Sequence, residues 1–236
     1  MQKLMSFMRA ACEQYNMLEN GDRIAVGVSG GKDSLALLYG LSELRRFYPA
    51  DYQIVAITAD PCFFGRDTDY SEIEKLCERL GVEYHIRRTK LYEVIFETRK
   101  EKNPCSLCAR MRRGILHDMA KELGCNKLAL GHHMDDAAET FMMNLLSGGT
   151  IGSFRPVTYL SRKDLTMIRP MVFAAEKDVA AAARHEELPV VKSPCPMDKT
   201  SEREKIKNLL AELEKDYPAL KEKITGAMRK SEISGW

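Results

Sequence analysis

The stretch Ile24-Ala-Val-Gly-Val-Ser-Gly-Gly-Lys-Asp-Ser34 restricts the fold of this chain more than any other. A β-branched run from Ile24 to Val28 stops at a glycine pair, and apolar residues at helical spacing (Leu35, Leu37, Leu38, Leu41, Leu44) begin at once. The spacing predicts strand, glycine turn, helix. Gly30 and Gly31 let the backbone approach a ligand with no Cβ in the way, and a helix start aims free N–H groups and its positive dipole end at that ligand. An anion fits there, and Lys32 with the Ser29 and Ser34 hydroxyls points to phosphate. The Walker pattern fails, because Val26 stands where its first glycine belongs and Asp33 where its Ser or Thr belongs. The dinucleotide pattern G-x-G-x-x-G fails as well. A plain connecting turn would not explain why Ser, Lys, Asp and Ser crowd one bend.

Composition bounds the rest. With 236 residues, 44% hydrophobic and 30% charged, the expectation is one main soluble domain with additions. A formal net charge of +2 is too small to indicate nucleic-acid binding, so any such surface must be local. The opening Met1 to Ala10 has no uninterrupted apolar core and no run elsewhere is long enough for a membrane span, so a cytoplasmic chain without a membrane partner is expected. Seven cysteines argue for metal or redox chemistry at a few of them rather than for a disulfide framework.

Periodicity predicts a lead-in helix over residues 3 to 18, then strands at Gln53 to Ala59, Val82 to Arg87 and Lys127 to Leu130. Helices are expected at Tyr70 to Leu80 (closed by Gly81), Leu107 to Leu123 (closed by Gly124), Asp135 to Leu146 and Glu176 to Glu187. Met167 to Met171 reads as a further strand, and Leu188 to Val191 as a brief extended piece. This alternation predicts an α/β, Rossmann-like parallel sheet with helices on both faces, plus helical additions at both ends. The boundaries are 1–20 for the N-terminal helix, 21–198 for the nucleotide domain and 199–236 for a helical tail with no chemistry of its own.

Ligands of open α/β sheets sit beyond the carboxyl ends of the strands, so the residues after each strand should converge. These are the phosphate loop, then Asp60 and Cys62, then Asn103-Pro-Cys105-Ser-Leu-Cys108 with Arg110, Arg112 and Arg113, then Gly131-His132-His133-Met-Asp135-Asp136. Cys105 and Cys108 open a helix followed by arginines, and both dipole and cations favour thiolate. Zinc, a redox pair or chance all fit a lone C-x-x-C. Asp33, Asp135 and Asp136 suit Mg²⁺, and Asp135 equally suits an N-cap. Packing at the strand end is the expectation for His133, whereas His132 either packs there or contacts nucleotide. Arg87, Arg88, Lys90, Arg99, Lys100 and Lys102 form either a path for RNA or a solvated face. Cys12, Cys77 and Cys125 read as small buried hydrophobes.

S-G-G-K-D-S resembles the PP-loop of the ATP pyrophosphatases, in which the loop holds departing pyrophosphate. Together with C-S-L-C-A-R-M-R-R-G-I-L, L-A-L-G-H-H-M-D-D-A-A-E-T, I-R-P-M and a lone downstream cysteine, the order of motifs over about residues 20 to 200 resembles the tRNA 2-thiocytidine synthetases (TtcA family). The resemblance implies an ATP- and Mg²⁺-dependent sulfurtransferase acting on cytidine 32 of tRNA. It implies nucleotide contacts from Ser29, Gly30, Gly31, Lys32, Asp33, Ser34, Asp60, Gly131 and His132, and catalytic roles for Asp33, Asp135, Asp136 and Arg112. It also implies a [4Fe–4S] cluster on Cys105, Cys108 and Cys195. Three thiolates leave one iron of such a cluster without a protein ligand, where sulfide can reside, and a persulfide on Cys105 or Cys108 is the competing chemistry. Partners implied are tRNA and a sulfur donor, either a cysteine desulfurase or inorganic sulfide, and the chain is compatible with a homodimer. The alternatives are thiolation or amination of another substrate, and an iron–sulfur sensor without turnover. Amination needs no cluster, so the three cysteines weigh against it.

Overall fold

The computed structural model describes residues 1–101, 104–197 and 202–236. Lys102, Asn103 and the expected tail boundary at 198/199 lie outside the described residues. A six-stranded sheet has the order β3-β2-β1-β4-β6-β5, with β1 at Asp22–Gly27, β2 at Tyr52–Asp60, β3 at Glu83–Arg88, β4 at Lys127–Ala129, β5 at Val157–Leu160 and β6 at Leu165–Ile168. All pairings are parallel except β5 with β6, which is antiparallel. The α/β sheet expected from the sequence is present, and β5 is an addition to it. Strand order reverses between β1 and β4, so the crevice of the fold opens beyond Gly27 and Ala129.

Both faces of the central strands β1, β2 and β4 are buried, which is why β1 and β2 read as nearly continuous apolar runs. Ile24, Val26, Ile54 and Ala56 face one cluster, shared with α1 (Gln2–Gln14), α2 (Lys32–Leu44), α3 (Ser71–Leu80) and α6 (Glu176–His185). The alternate residues Ala25, Val55, Ile57 and Leu128 face the other, covered by Met119 and Ala120 of α4 (Pro104–Glu122). Gly81 and Gly124 follow α3 and α4 in the left-handed conformation, as their positions predict. Cys12, Cys77 and Cys125 are buried, and burial pushes the first two thiols up to about 12.

Two expectations are corrected. The lead-in helix ends at Gln14, short of residue 18. The brief piece at residues 188–191 joins no sheet and runs past the phosphate loop. The tail forms α7 (Glu202–Asp216) and α8 (Leu220–Lys230), which pack on α5 (Met134–Gly148) beside the crevice and bring charges into it. Among the described residues, no helix is long and apolar enough to cross a membrane.

Candidate active site

The segment between β1 and α2 closes on itself through its serines. Ser34 Oγ accepts from the Ser29 N–H (3.0 Å) and donates to Gly31 O (2.9 Å), and Ser29 Oγ lies 3.1 Å from Ser34 Oγ. The hydroxyls that the sequence assigns to phosphate therefore also set the shape of the loop. Gly30 has φ +85°, and a Cβ there would lie 3.1 Å from Val191 Cβ. Gly131, after β4, abuts the loop so closely that a Cβ would meet the Asp33 carbonyl carbon and oxygen at 3.0 Å. Its missing side chain lets β4 and the loop touch backbone to backbone.

Lys32 opens α2 with its ammonium between carboxylates, 2.9 Å from Asp33 Oδ1 and 3.0 Å from Glu176 Oε1. Burial works against its charge, yet Asp33 and Glu176 raise its pKa above the usual lysine value. Glu176 is gripped from the other side by Lys207 of α7 at 2.8 and 2.9 Å. Burial opposes the Glu176 charge, but hydrogen bonds from Lys207 and Lys32 outweigh it and hold the carboxyl down at about 2.

Asp135 does not cap its own helix. Its Oδ2 accepts from the Glu176 N–H at the start of α6 (2.7 Å), and its Oδ1 accepts from Lys221 of α8 (3.0 Å). The cap of α5 is His133, whose Nδ1 accepts from the Asp136 N–H while Asp136 Oδ2 accepts from the His133 N–H, a reciprocal box. His133 is buried, and its Nε2 stands 3.8 Å from Asp33 Oδ1. Asp136 also faces Arg203 of α7 at 3.4 Å. His132 turns the other way, against Phe154, and burial pushes its pKa down to about 4.

Asp60 is fully buried, and its carboxylate is used by its own loop. Oδ1 accepts from the Cys62 N–H and Thr68 Oγ1, and Oδ2 from the Thr68 N–H. Of the basic residues considered for RNA, Arg87 pairs with Glu122, Arg88 with Asp67 (2.6 Å) and Lys90 with Glu93 (3.8 Å).

Cys105 and Cys108 lie in the first turns of α4, and Cys195 follows the piece at residues 188–191. The three are near enough for charge on Cys195 to raise the pKa of both others. Burial is the larger cause and pushes both thiols up, although Arg112 opposes it at Cys108. The expectation that dipole and arginines favour the free thiolates is thus corrected, because desolvation outweighs them. Among the described residues no three His, Cys, Asp or Glu side chains converge on a single-ion site. A cubane cluster asks for something else, namely three separate soft donors, each for a different iron, and three half-buried free thiols in mutual electrostatic reach fit that requirement.

Loop and cysteines are joined in two ways. The Val191 N–H donates to Gly30 O at 2.9 Å, four residues before Cys195. Tyr70 packs at Gly30, and Arg112 acts electrostatically on both Tyr70 and Cys108. The convergence inferred from strand ends therefore brings together the loop, Gly131, His133, Asp135 and Asp136, with Arg112 and the cysteines beside them. Glu176, Lys207, Lys221 and Arg203 are additional members. In the sequence Glu176 shows only as the start of an expected helix, and nothing there marks Lys207, Lys221 or Arg203.

A sequence model of the PP-loop domain matches residues 3–214. The chain belongs to the PP-loop family. Among curated relatives, a tRNA-cytidine(32) 2-sulfurtransferase from Geobacter sulfurreducens is 40% identical over 96% of this chain and 88% of its own length. One of the same name from Syntrophotalea carbinolica is 41% identical with the same coverage. The TtcA resemblance carried by the motifs is therefore a family relationship. The U34-tRNA thiolase NcsA from Methanococcus maripaludis, solved with its [4Fe–4S] cluster, superposes with TM-score 0.79 at 31% identity over 95% of this chain and 77% of that one. The NH3-dependent NAD synthetase of Campylobacter jejuni shares the fold, with TM-score 0.51 at 17% identity over 100% of this chain and 96% of its own.

Proposed function

We propose that this PP-loop protein is a tRNA sulfurtransferase that converts cytidine 32 to 2-thiocytidine with ATP. The observation that carries the reading is the Val191–Gly30 hydrogen bond, which ties the segment bearing Cys195 to the loop that would hold pyrophosphate. Activation and sulfur delivery then share one crevice. The names of the relatives at about 40% identity support the choice of cytidine 32.

In this reading the cytosine C2 oxygen attacks the α-phosphorus of ATP, and pyrophosphate leaves into the loop. The N–H groups at the start of α2 and the Lys32 ammonium stabilise the charge that develops there. Mg²⁺ would be held by Asp33, whose carboxylate borders the loop, with help from Asp136. Asp135 acts through the residues it holds, Glu176 and Lys221. Sulfur at the sulfide level then adds at C2, and AMP departs with the original oxygen. C=O becomes C=S with no net change of oxidation state, so no electron relay is needed. Cys105, Cys108 and Cys195 would hold the [4Fe–4S] cluster, which supplies an iron free of protein ligands where sulfide is kept at hand. Arg112, which acts electrostatically on both Cys108 and Tyr70, would stabilise the phosphate of the adenylated base.

The test is anaerobic reconstitution with iron and sulfide, followed by incubation with tRNA, ATP and Mg²⁺ and mass spectrometry of the nucleosides. 2-Thiocytidine and AMP should form together, and Cys105→Ala should abolish the product while ATP binding survives. Tightly bound iron without any thionucleoside in the wild type would instead support a sensor, and a product that survives Cys105→Ala would remove the cluster from the reaction.

A further inference from the structure

The carboxyl ends of β2 and β3 carry a feature that neither the loop nor the cysteines use. Phe63 and Phe64 follow β2, and Tyr92 and Phe96 follow β3, the last within a short π-helical stretch at Glu93–Thr98. Tyr92 is central, with ring centroids 5.9 Å from Phe63, 4.8 Å from Phe64 and 5.1 Å from Phe96, to which it lies nearly parallel. Aromatic groups of this kind usually close into a core, yet Phe64 is 55% exposed. The backbone holds it out. Cys62 and Phe64 have φ values of 48° and 56°, a region unfavourable for residues with a Cβ. The Asp60 carboxylate, buried and spent on Cys62 and Thr68, pins the same loop. Strain and a buried charge are thus both committed to presenting one ring to solvent.

Phe64 lines two cavities. The first, about 450 Å³, also has Tyr92, Thr89 and Glu97 in its wall. The second, about 490 Å³, runs past Arg66 and Lys192 to Pro194, the neighbour of Cys195. We propose that Phe64 and Tyr92 form the stacking platform of a nucleobase site, and that its occupant is an unpaired base of the RNA substrate. This rests on the RNA substrate proposed above. Single-stranded RNA is read by stacking splayed bases on aromatic faces and bonding their edges, and the wall offers acceptors for such edges, the Glu97 carboxylate and the lone pairs of the Thr89 hydroxyl, whose proton goes to Asp60 O at 2.8 Å. Arg66 and Lys192 make no ion pair among the described residues and flank the platform, as a phosphodiester requires. A base on Phe64 would lie along the cavity that leads to Pro194, on the route to the cysteines.

The other nucleobase at hand is the adenine of ATP, and the experiment separates the two. Phe64→Ala and Phe64→Trp are made in the full chain, with circular dichroism as the folding control. Binding of a labelled anticodon stem-loop is read by anisotropy, and ATP binding by calorimetry without RNA. Phe64→Ala should weaken RNA binding at least tenfold and leave ATP affinity within twofold. Phe64→Trp should restore RNA binding, and its emission should be quenched by RNA. That signal is resolvable because Trp236 is the only tryptophan of the natural chain and is 6% exposed. RNA affinity of Phe64→Ala within twofold of wild type overturns the proposal, and so does loss of ATP binding in its place, which assigns the platform to adenine. Binding is read without turnover. A wild type that binds the stem-loop but makes no thionucleoside therefore defeats the function proposed above and leaves the platform intact.

Discussion

The Val191 backbone N–H donates to the Gly30 carbonyl oxygen across 2.9 Å, and the side chain of Val191 lies against the face of Gly30 where a Cβ would project. One residue of the phosphate loop thus fixes the path of the segment that ends in Cys195. Shape at the loop and placement of the third cysteine are coupled through a single peptide.

Gly30→Ala should disturb both halves of the site. The left-handed φ alone costs about 1–2 kcal/mol for a residue with a Cβ, and the new methyl carbon would stand 3.1 Å from Val191 Cβ. ATP affinity and retained iron should fall together, measured by calorimetry and by iron analysis after anaerobic reconstitution. Adding Val191→Gly should recover part of the iron but not the ATP affinity, because it removes the Cβ that the new methyl carbon meets and leaves the strain. Iron retention at the wild-type level in Gly30→Ala would show that the two halves are independent.

Gly131→Ala tests a different constraint. Gly131 does not have a positive φ, so only space is at issue, and the neighbours at 3.0–3.1 Å are backbone atoms of Asp33 and Ser34 that cannot swing aside. AMP formation should drop at least tenfold as the loop shifts. Gly114→Ala on α4 is the control, since nothing lies within 4 Å of its Cβ position. Removing a helix-interior glycine there should stabilise the fold by about 0.5–1 kcal/mol. Equal activity of the two variants would mean that the backbone contact at Gly131 is not needed.

The strands, the loop and the cysteine helix were legible because each rests on local chemistry. A buried parallel strand needs a continuous apolar run, a loop that approaches a ligand needs glycine, and Gly81 and Gly124 mark helix ends by their positive φ. β5 was not legible. It is four residues long, none of them buried, and its return turn has Asp164 rather than glycine at positive φ. The place of Asp60 after β2 does not reveal that its carboxylate holds the loop that displays Phe64. Lys207 and Lys221 sit among alternating Glu and Lys, a pattern identical to that of a solvated helix face. Only the fold reveals that α7 and α8 lie against α5 and reach the crevice.

Lys207 is therefore expected to act on ATP. It and Lys32 share the Glu176 carboxylate, an arrangement in which one anion sits between two ammonium groups at the mouth of the loop. A triphosphate would compete for both. Loss of one charge-assisted contact of about 1.5 kcal/mol corresponds to roughly tenfold in affinity, so Lys207→Ala should raise the KM for ATP by about tenfold with a smaller change in kcat. Lys207→Arg should restore most of it. A lowered melting temperature with an unchanged KM would reduce Lys207 to a strut between α6 and α7.

Glu176 makes the fold sensitive to acid in a defined window. Its carboxyl sits at about 2 in the folded protein against an ordinary value of 4.5, because Lys207 and Lys32 outweigh its burial. A depressed carboxyl contributes stability that is fully present above about pH 4.5 and is lost as pH falls from there toward 2. Glu176→Gln removes that contribution, so its deficit in urea unfolding should be greatest near pH 7. Allowing for the partial exposure of both lysines, the deficit there should be about 1–2 kcal/mol. It should shrink steadily when the titration is repeated at pH 4.5, 4 and 3.5, because the wild type is losing the same interaction. A deficit of the same size at pH 3.5 as at pH 7 would show that the carboxylate charge is not what the two lysines hold.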